Sequence, residues 1–418
     1  MSTAVCRRSS GARPWPPRAR RRSRVARDAS HTSGAVRPNT RPATRTGCAV
    51  ERVRCALYRV PLAEPVSDAK VTSGRQQPLA SVDVLVARIA TADGLEGIGF
   101  SYSKRAGGPA LFAHAEQLAP LLIGEDALAI GRIWEKLVWA AASIGREGLA
   151  VQTVAAFDIA LHDRKAKQAG LPLATLLGHY RGSVRCYDTG GGFLSATDAE
   201  VVANAERSLA RGVGGIKIKV GGDQRSDLAR VAAVRGAIGG ATPLMADANQ
   251  QWDRAAARRI GRTLERYDLT WLEEPLDAYD AAGHAALRQA LDTPIASGEM
   301  LSTTRDLRRL LDAGAVDVLQ PDAVRVGGVT PYLRIAALAA ELGVTVAPHF
   351  ATELHVHLAA AQPAEGWVEY FDWLQPLFEE QLEIAGGRIQ VPDRPGLGLT
   401  LSPRAETWVR AAAELPER

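Results

Sequence analysis

Cysteine is scarce in this chain. Cys6, Cys48, Cys55 and Cys186 are the four in 418 residues, and no two are spaced as C-x-x-C. That excludes a thiolate metal centre and a disulfide framework, and it fits a reducing, cytoplasmic setting. No apolar run approaches the roughly 18 residues of a membrane-spanning helix, so no membrane partner is expected. No G-x-G-x-x-G follows the first strand of the repeating part, which argues against a dinucleotide-binding sheet. Lysine is absent from the first fifty residues, where twelve Arg face one acid, Asp28, for a net +11. The whole chain carries +5, so the remainder carries −6. The basic character belongs to one end, and the body is mildly acidic.

Residues 1–48 are rich in Arg, Ser, Pro, Gly and Thr and nearly free of aliphatic side chains. Such a segment cannot bury a core and is expected to be a disordered Arg-rich leader. It has no apolar stretch of the kind a secretory signal needs. Arginine runs attract phosphate, but Trp15 is the one aromatic residue there, and nucleic acid is not expected as a partner.

From 49 to 183 the pattern runs strands first, then helices over about 110–122, 127–143 and 147–169. That order reads as a separate α+β domain. From 184 to 390 the rhythm changes to βα repeats. Short apolar strands recur at 184–189, 215–220, 243–247, 270–274, 294–298, 316–320, 344–348 and 366–370. Eight of them argue for a parallel barrel with its working residues at the C-terminal strand ends; an open doubly wound sheet is the alternative. Residues 391–418 lose the period and are expected to return to the first domain.

Three acidic residues close consecutive strands at an even pitch of 26: Asp247, Glu273 and Glu299. At one barrel mouth they make a hard oxygen set, with no Cys or His among them, which favours Mg2+ over zinc. Glu274, by strand alternation, should face away. Lys217 and Lys219 share one strand face. A second ammonium and a divalent cation both disfavour protonation, so Lys219 is expected to be a base near neutral pH. His349 ends the seventh strand and Asp322 the sixth. A carboxylate beside an imidazole fixes its tautomer and raises its basicity. Asn249 and Glu369 also fall at strand ends.

The ordered set Lys-x-Lys, Asp-Ala-Asn, Glu-Glu-Pro, Gly-Glu, Pro-Asp-x-x-x-x-Gly-Gly and Ala-Pro-His resembles the enolase superfamily, mandelate racemase subgroup, over about residues 50–415. Four further stretches narrow the resemblance to its dehydratases of six-carbon sugar diacids: Pro65–Lys70, Gly99–Gly108, Asp247–Asp253 and Glu274–Asp280. The resemblance implies an α/β fold, a (β/α)7β modified TIM barrel with an α+β capping domain. It implies one Mg2+ per subunit on Asp247, Glu273 and Glu299, and dehydration of an aldaric acid such as galactarate or L-talarate. Lys219 and His349 would be bases on opposite sides of the reacting carbon, with Asp322 behind His349. Lys217 and a protonated Glu369 would flank the reacting carboxylate, with Asn249 also binding substrate. The distal carboxylate needs cations, for which Lys70, Lys104 and Arg105 stand in capping-domain loops; Asp68 would bind hydroxyls or anchor Lys70. The loop from about 63 to 77 reads as a lid. A homo-oligomer is expected. Another acid sugar such as glucarate, and racemisation or epimerisation, stay open as alternatives. A second-lysine base is not available on the sixth strand, where Arg325 follows Asp322 and cannot deprotonate at ordinary pH. A Schiff-base aldolase using Lys219, and a non-enzymatic scaffold, both leave the carboxylates unexplained.

Overall fold

The computed structural model describes residues 47–416. The expected leader lies outside the described residues except for its last two. Of these, the Gly47 carbonyl accepts the Asp93 N–H at 2.9 Å, and Cys48 is buried.

The N-terminal part is a four-stranded antiparallel sheet. Its strands are β1 (Val50–Val66), β2 (Leu79–Thr91), β3 (Glu96–Lys104) and a strand from the far end of the chain, Val409–Leu415, in the order Val409–Leu415, β1, β2, β3. The β2–β3 hairpin turns at Gly94, whose φ of +80° is open to glycine without a steric cost. The lid expected from 63 to 77 is shorter than read. The strand stays extended to Val66, and a one-turn helix, α1 (Ala69–Thr72), follows with Asp68 as its N-cap.

Helices α2 (Gly108–Leu118), α3 (Ile130–Ala140) and α4 (Leu149–Ala169) follow the sheet. Packing of α4 on β3 depends on two glycines. A Cβ at Gly97 would lie 2.0 Å from the Ala160 carbonyl oxygen, and one at Gly99 would lie 2.2 Å from that of Ala156. Residues 97, 99 and 101 therefore face the helix, and by alternation Phe100, Tyr102 and Lys104 point the other way.

A short helix, α5 (Leu173–Leu176), leads into eight short parallel strands: β4 (Ser183–Asp188), β5 (Gly215–Lys219), β6 (Leu244–Asp247), β7 (Trp271–Glu273), β8 (Ile295–Ser297), β9 (Val318–Leu319), β10 (Thr345–Val346) and β11 (Trp367–Tyr370). Neighbours pair in sequence from β4 to β10, and β11 pairs in parallel with β4. Seven helices fill the connections: α6 (Asp198–Ala210), α7 (Gln224–Ile238), α8 (Arg254–Leu264), α9 (Ala281–Ala290), α10 (Thr304–Asp312), α11 (Val329–Glu341) and α12 (Thr352–Ala360). The eighth strand has none, so the barrel is (β/α)7β. Thr197, Asp223, Asp253, Asp280 and Thr303 each cap the helix that follows, accepting the N–H three residues on. Those polar residues are accounted for by helix starts. Apolar residues of the capping sheet, among them Tyr58, Val84 and Phe100, join Tyr332, Phe350 and Leu377 of the barrel in one buried cluster. That shared core fixes β3 over the barrel mouth. Among the described residues no helix is long and apolar enough to cross a membrane.

Candidate metal and proton-transfer site

Parallel register carries the carboxylates together. Lys219 on β5 is level with Asp247 on β6, and Asp247 is level with Glu273 on β7. Glu299 lies just past β8, after Gly298, whose φ is +137°. One oxygen from each of Asp247, Glu273 and Glu299 falls within 4.8 Å of the others, and all three side chains are buried. Burial, and the neighbouring carboxylates acting against Lys217, push Glu273 up to about 8. A buried all-oxygen set short of positive charge fits a hard divalent ion. Glu273 is held in place by the Trp271 indole N–H at 3.0 Å and the Gln320 amide at 2.7 Å. Asp247 accepts the backbone N–H of Asn249 at 2.8 Å and its side-chain amide at 3.0 Å. Asn249 sits at φ +46°, a conformation asparagine tolerates, and its buried Oδ1 has no partner.

The two lysines are bound to these acids. Lys217 Nζ donates to Glu273 at 2.6 Å and contacts Glu369 at 2.7 Å. Lys219 Nζ donates to Asp247 Oδ2. The neutral Lys219 expected beside a divalent cation is not what the Asp247 contact by itself favours. Burial alone would lower its pKa, but Asp247 outweighs that and raises it above the ordinary value. The sequence argument counted the cation and the second ammonium and left out the carboxylate against Nζ.

Asp322 and His349 form a pair, with Asp322 Oδ2 at 2.9 Å from His349 Nδ1. The other Asp322 oxygen accepts the backbone N–H groups of Val324 at 2.8 Å and Arg325 at 3.3 Å. Despite its burial, Asp322 stays ionised, held well below the usual carboxylate range by His349, with His355 and Arg325 close by. With Nδ1–H donated to that carboxylate, Nε2 faces the cavity, 3.4 Å from Glu299 and 3.5 Å from Lys104 Nζ. Burial holds His349 below the usual imidazole value, against the pull of Glu299.

Glu369 lies against Lys217. Its pKa is lowered to about 2 by that contact, and the protonated form belongs to the case of a second carboxylate beside it. Burial opposes ionisation, and Lys217 overcomes it. The carboxylate also accepts the Thr189 hydroxyl at 2.7 Å and the Phe350 N–H at 2.9 Å. Glu274 is buried and is not among the residues that line the cavity or form the three-carboxylate cluster. Its φ is +38°, at the end of the strand. Burial and the charge of Glu299 raise its pKa well above the ordinary value, and Gln250 donates to one of its oxygens at 2.9 Å.

Asp68, Lys70, Lys104, Arg105, Lys219, Asn249, Glu299, His349 and Glu369 line one cavity of about 240 Å3. Asp68 Oδ1 caps α1 through Lys70 N at 2.9 Å, and its Oδ2 pairs with Arg105 at 3.2 Å. That ion pair ties α1 to the end of β3. Lys104 stands on the His349 side, 4.2 Å from the centre of the Phe350 ring. Burial, with Arg325 close by, lowers it to about 7. Sequence reasoning missed Tyr102, Met300, Phe371 and Trp373, which line the same cavity. For Tyr102 a signal existed, since it lies two residues before Lys104 on a strand.

Comparison with known proteins agrees with this geometry. Residues 52–178 match the mandelate racemase/muconate lactonizing enzyme N-terminal domain, and residues 200–405 the enolase C-terminal domain-like family. The L-talarate/galactarate dehydratase of Salmonella typhimurium LT2 is 54% identical over 381 residues, covering 91% of this chain and 96% of that protein. Its crystal structure with Mg and L-lyxarohydroxamate superposes with a TM-score of 0.88, over 93% of this chain and 100% of that one. L-talarate dehydratase from Polaromonas sp. JS666, complexed with Mg and L-glucarate, is 57% identical with a TM-score of 0.86, over 88% of this chain and 100% of that one. A more distant relative, the 3,6-anhydro-alpha-L-galactonate cycloisomerase of Streptomyces coelicolor, is 36% identical over 84% of this chain and 97% of its own length. The chain belongs to the enolase superfamily, in its mandelate racemase subgroup.

Proposed function

We propose that this protein is a Mg2+-dependent dehydratase of six-carbon aldaric acids, galactarate and L-talarate, yielding a keto-deoxy diacid. One observation carries the reading. A buried three-carboxylate cluster is flanked by two different proton-transfer groups, Lys219 against Asp247 and His349 against Glu299. The 54% identical relative bears the same activity in its name.

Asp247, Glu273 and Glu299 would hold the ion. When bound, it supplies a fixed positive charge for the carboxylate next to the reacting carbon. Lys217 binds that same carboxylate. Glu369, ionised against Lys217, takes up a proton when a second carboxylate arrives beside it, because like charges at close range raise a pKa. Lys219 as the free amine, its proton no longer favoured by Asp247 once that carboxylate is engaged by the ion, or His349 as the neutral imidazole removes the α-proton, according to the configuration presented, and the C–H electron pair moves onto the carboxylate. His349 gives its Nε2 proton to the β-hydroxyl, which departs as water with the C–O pair. That proton is the one it took from the α-carbon, or, where Lys219 takes the α-proton, the one it carries as imidazolium beside the arriving diacid, whose charge raises its pKa. The resulting enol tautomerises to the ketone. Asp322 keeps His349 in the tautomer this requires. Lys70, Lys104 and Arg105, with Asp68 and Asn249, contact the remainder of the diacid. Bases on two flanks also permit epimerisation at the same carbon.

The same reading divides the chain into a capping domain (49–183), a barrel (184–390) and a segment (391–418) that rejoins the cap, as the pairing of β1 with Val409–Leu415 supports. Three buried, unpaired thiols, Cys48, Cys55 and Cys186, suit a cytoplasmic enzyme. A homo-oligomer is supported by two large apolar side chains left open on the capping domain, Trp139 at 56% and Ile144 at 65% exposure.

The test is a panel of sugar diacids and mono-acids incubated with Mg2+ and scored for keto-acid formation. Galactarate and L-talarate should turn over and mono-acids should not. Lys219→Ala and His349→Asn should each lose dehydration by three orders of magnitude or so, given that acid–base groups contribute roughly 10²–10⁴-fold. Wild-type turnover in both variants would refute the assignment of the bases.

A further inference from the structure

Asp322 has a partner that the mechanism above does not use. Tyr102, on β3 of the capping sheet, is 1% exposed and donates its phenol O–H to Asp322 Oδ2, the oxygen that faces His349 Nδ1. The phenol oxygen also lies 3.4 Å from Nδ1 itself. Its ring stacks edge-on against Phe350, the residue after His349, with centroids 4.6 Å apart. Both Asp322 oxygens are thereby fixed: one by two backbone N–H groups of its own loop, the other by a phenol from the other domain and by the imidazole. His355 adds a brace, accepting the Ala323 N–H at 3.1 Å and donating to the Phe350 carbonyl at 2.6 Å. Lys219 has no such link to Tyr102; its contact is with Asp247.

We propose that Tyr102 is a positioning residue for one half of the reaction. It holds the Asp322 carboxylate, and through it the His349 ring, in the plane that turns Nε2 to the substrate. The capping domain then completes the His349 side of the site and leaves the Lys219 side independent. The inference rests on the reading of Lys219 and His349 as separate bases. An outer partner of this kind typically changes activity about 10- to 100-fold.

Tyr102→Phe in the full chain with Mg2+ tests it, because Phe keeps the ring packing and removes only the hydroxyl. The reaction is run in D2O on the diacid epimer whose α-proton Lys219 removes. Keto-acid formation should fall about 10- to 100-fold in kcat with KM little changed. Unconsumed substrate should gain α-deuterium, since Lys219 still breaks the C–H bond while departure of the hydroxyl waits on His349. Equal loss of exchange and elimination would mean a merely structural role and overturn the proposal, as would wild-type turnover. If the wild-type protein itself forms no keto acid from any diacid, the parent reading fails instead. A second measurement decides the hydrogen bond even then, or if the variant does not fold. The imidazole 15N shifts of His349 in the wild-type protein should show Nδ1 protonated. The opposite tautomer would leave a lone pair at Nδ1 to take the phenol from Asp322, and would overturn the proposal.

Discussion

Glu353 shows how a residue can look functional and be costly instead. It opens α12, it is buried, and neither of its carboxylate oxygens has a hydrogen-bond partner. Burial raises its pKa to about 7. A carboxyl whose folded pKa lies above its unfolded value binds more protons folded than unfolded. Its contribution is therefore favourable below the unfolded value, near 4, and is lost as pH rises through about 7. Denaturant unfolding at pH 5 and pH 8 should show wild type losing stability toward pH 8, and Glu353→Gln should remove on the order of 3 kcal/mol of that slope. An identical slope in the variant would mean the carboxyl is better solvated than its burial implies. Residues of this kind also explain what the sequence could and could not reveal. Asp247, Glu273 and Glu299 were legible because their spacing repeats with the βα unit. The ionisation of Lys219 and Glu369 was not, because it depends on which oxygen touches which ammonium, and strand periodicity does not fix that.

Among the elements, β3 does the most to join the two parts of the site. One face, through Gly97 and Gly99, lies on α4 without side chains between them. The other presents Tyr102 and Lys104 to His349. The strand is thus pressed from behind by a helix, and its position over the barrel is set by backbone contact. Gly99→Ala would put a methyl 2.2 Å from the Ala156 carbonyl and 2.3 Å from the Ala160 nitrogen. Backbone has to give way, at about 1–3 kcal/mol for overpacking of this type. Urea unfolding should show that loss, and keto-acid formation should drop with it because Tyr102 and Lys104 move with the strand. A destabilised variant with full activity would separate the strand's position from catalysis. All eight barrel strands were readable from apolar runs between polar connections. The lid was not read to length, since the polar stretch Glu64-Pro65-Val66 stays in the sheet by pairing Val66 with Leu79, a contact that local composition does not announce.

For the whole molecule, charge balance at the barrel mouth decides stability as well as chemistry. Lys217 and Lys219 are the cations that face Glu273 and Asp247, while among the described residues Glu299 has His349 within ion-pair reach. Three carboxylates and two ammoniums are buried together there, and each ion gives up water on burial. A divalent ion that binds the folded barrel and not the unfolded chain must stabilise by mass action, by about 2.7 kcal/mol when its free concentration is a hundred times Kd. Thermal melts of chelator-treated protein should therefore rise as Mg2+ is added, with no substrate present. Glu273→Gln should flatten that response, since it removes the ligand that Trp271 and Gln320 orient. Calcium, which prefers more ligands at longer distances, should stabilise less than Mg2+ at equal concentration. If melting were indifferent to Mg2+ in wild type, the cluster would be a lysine-neutralised structural feature, and the proposed chemistry would lose its positive charge.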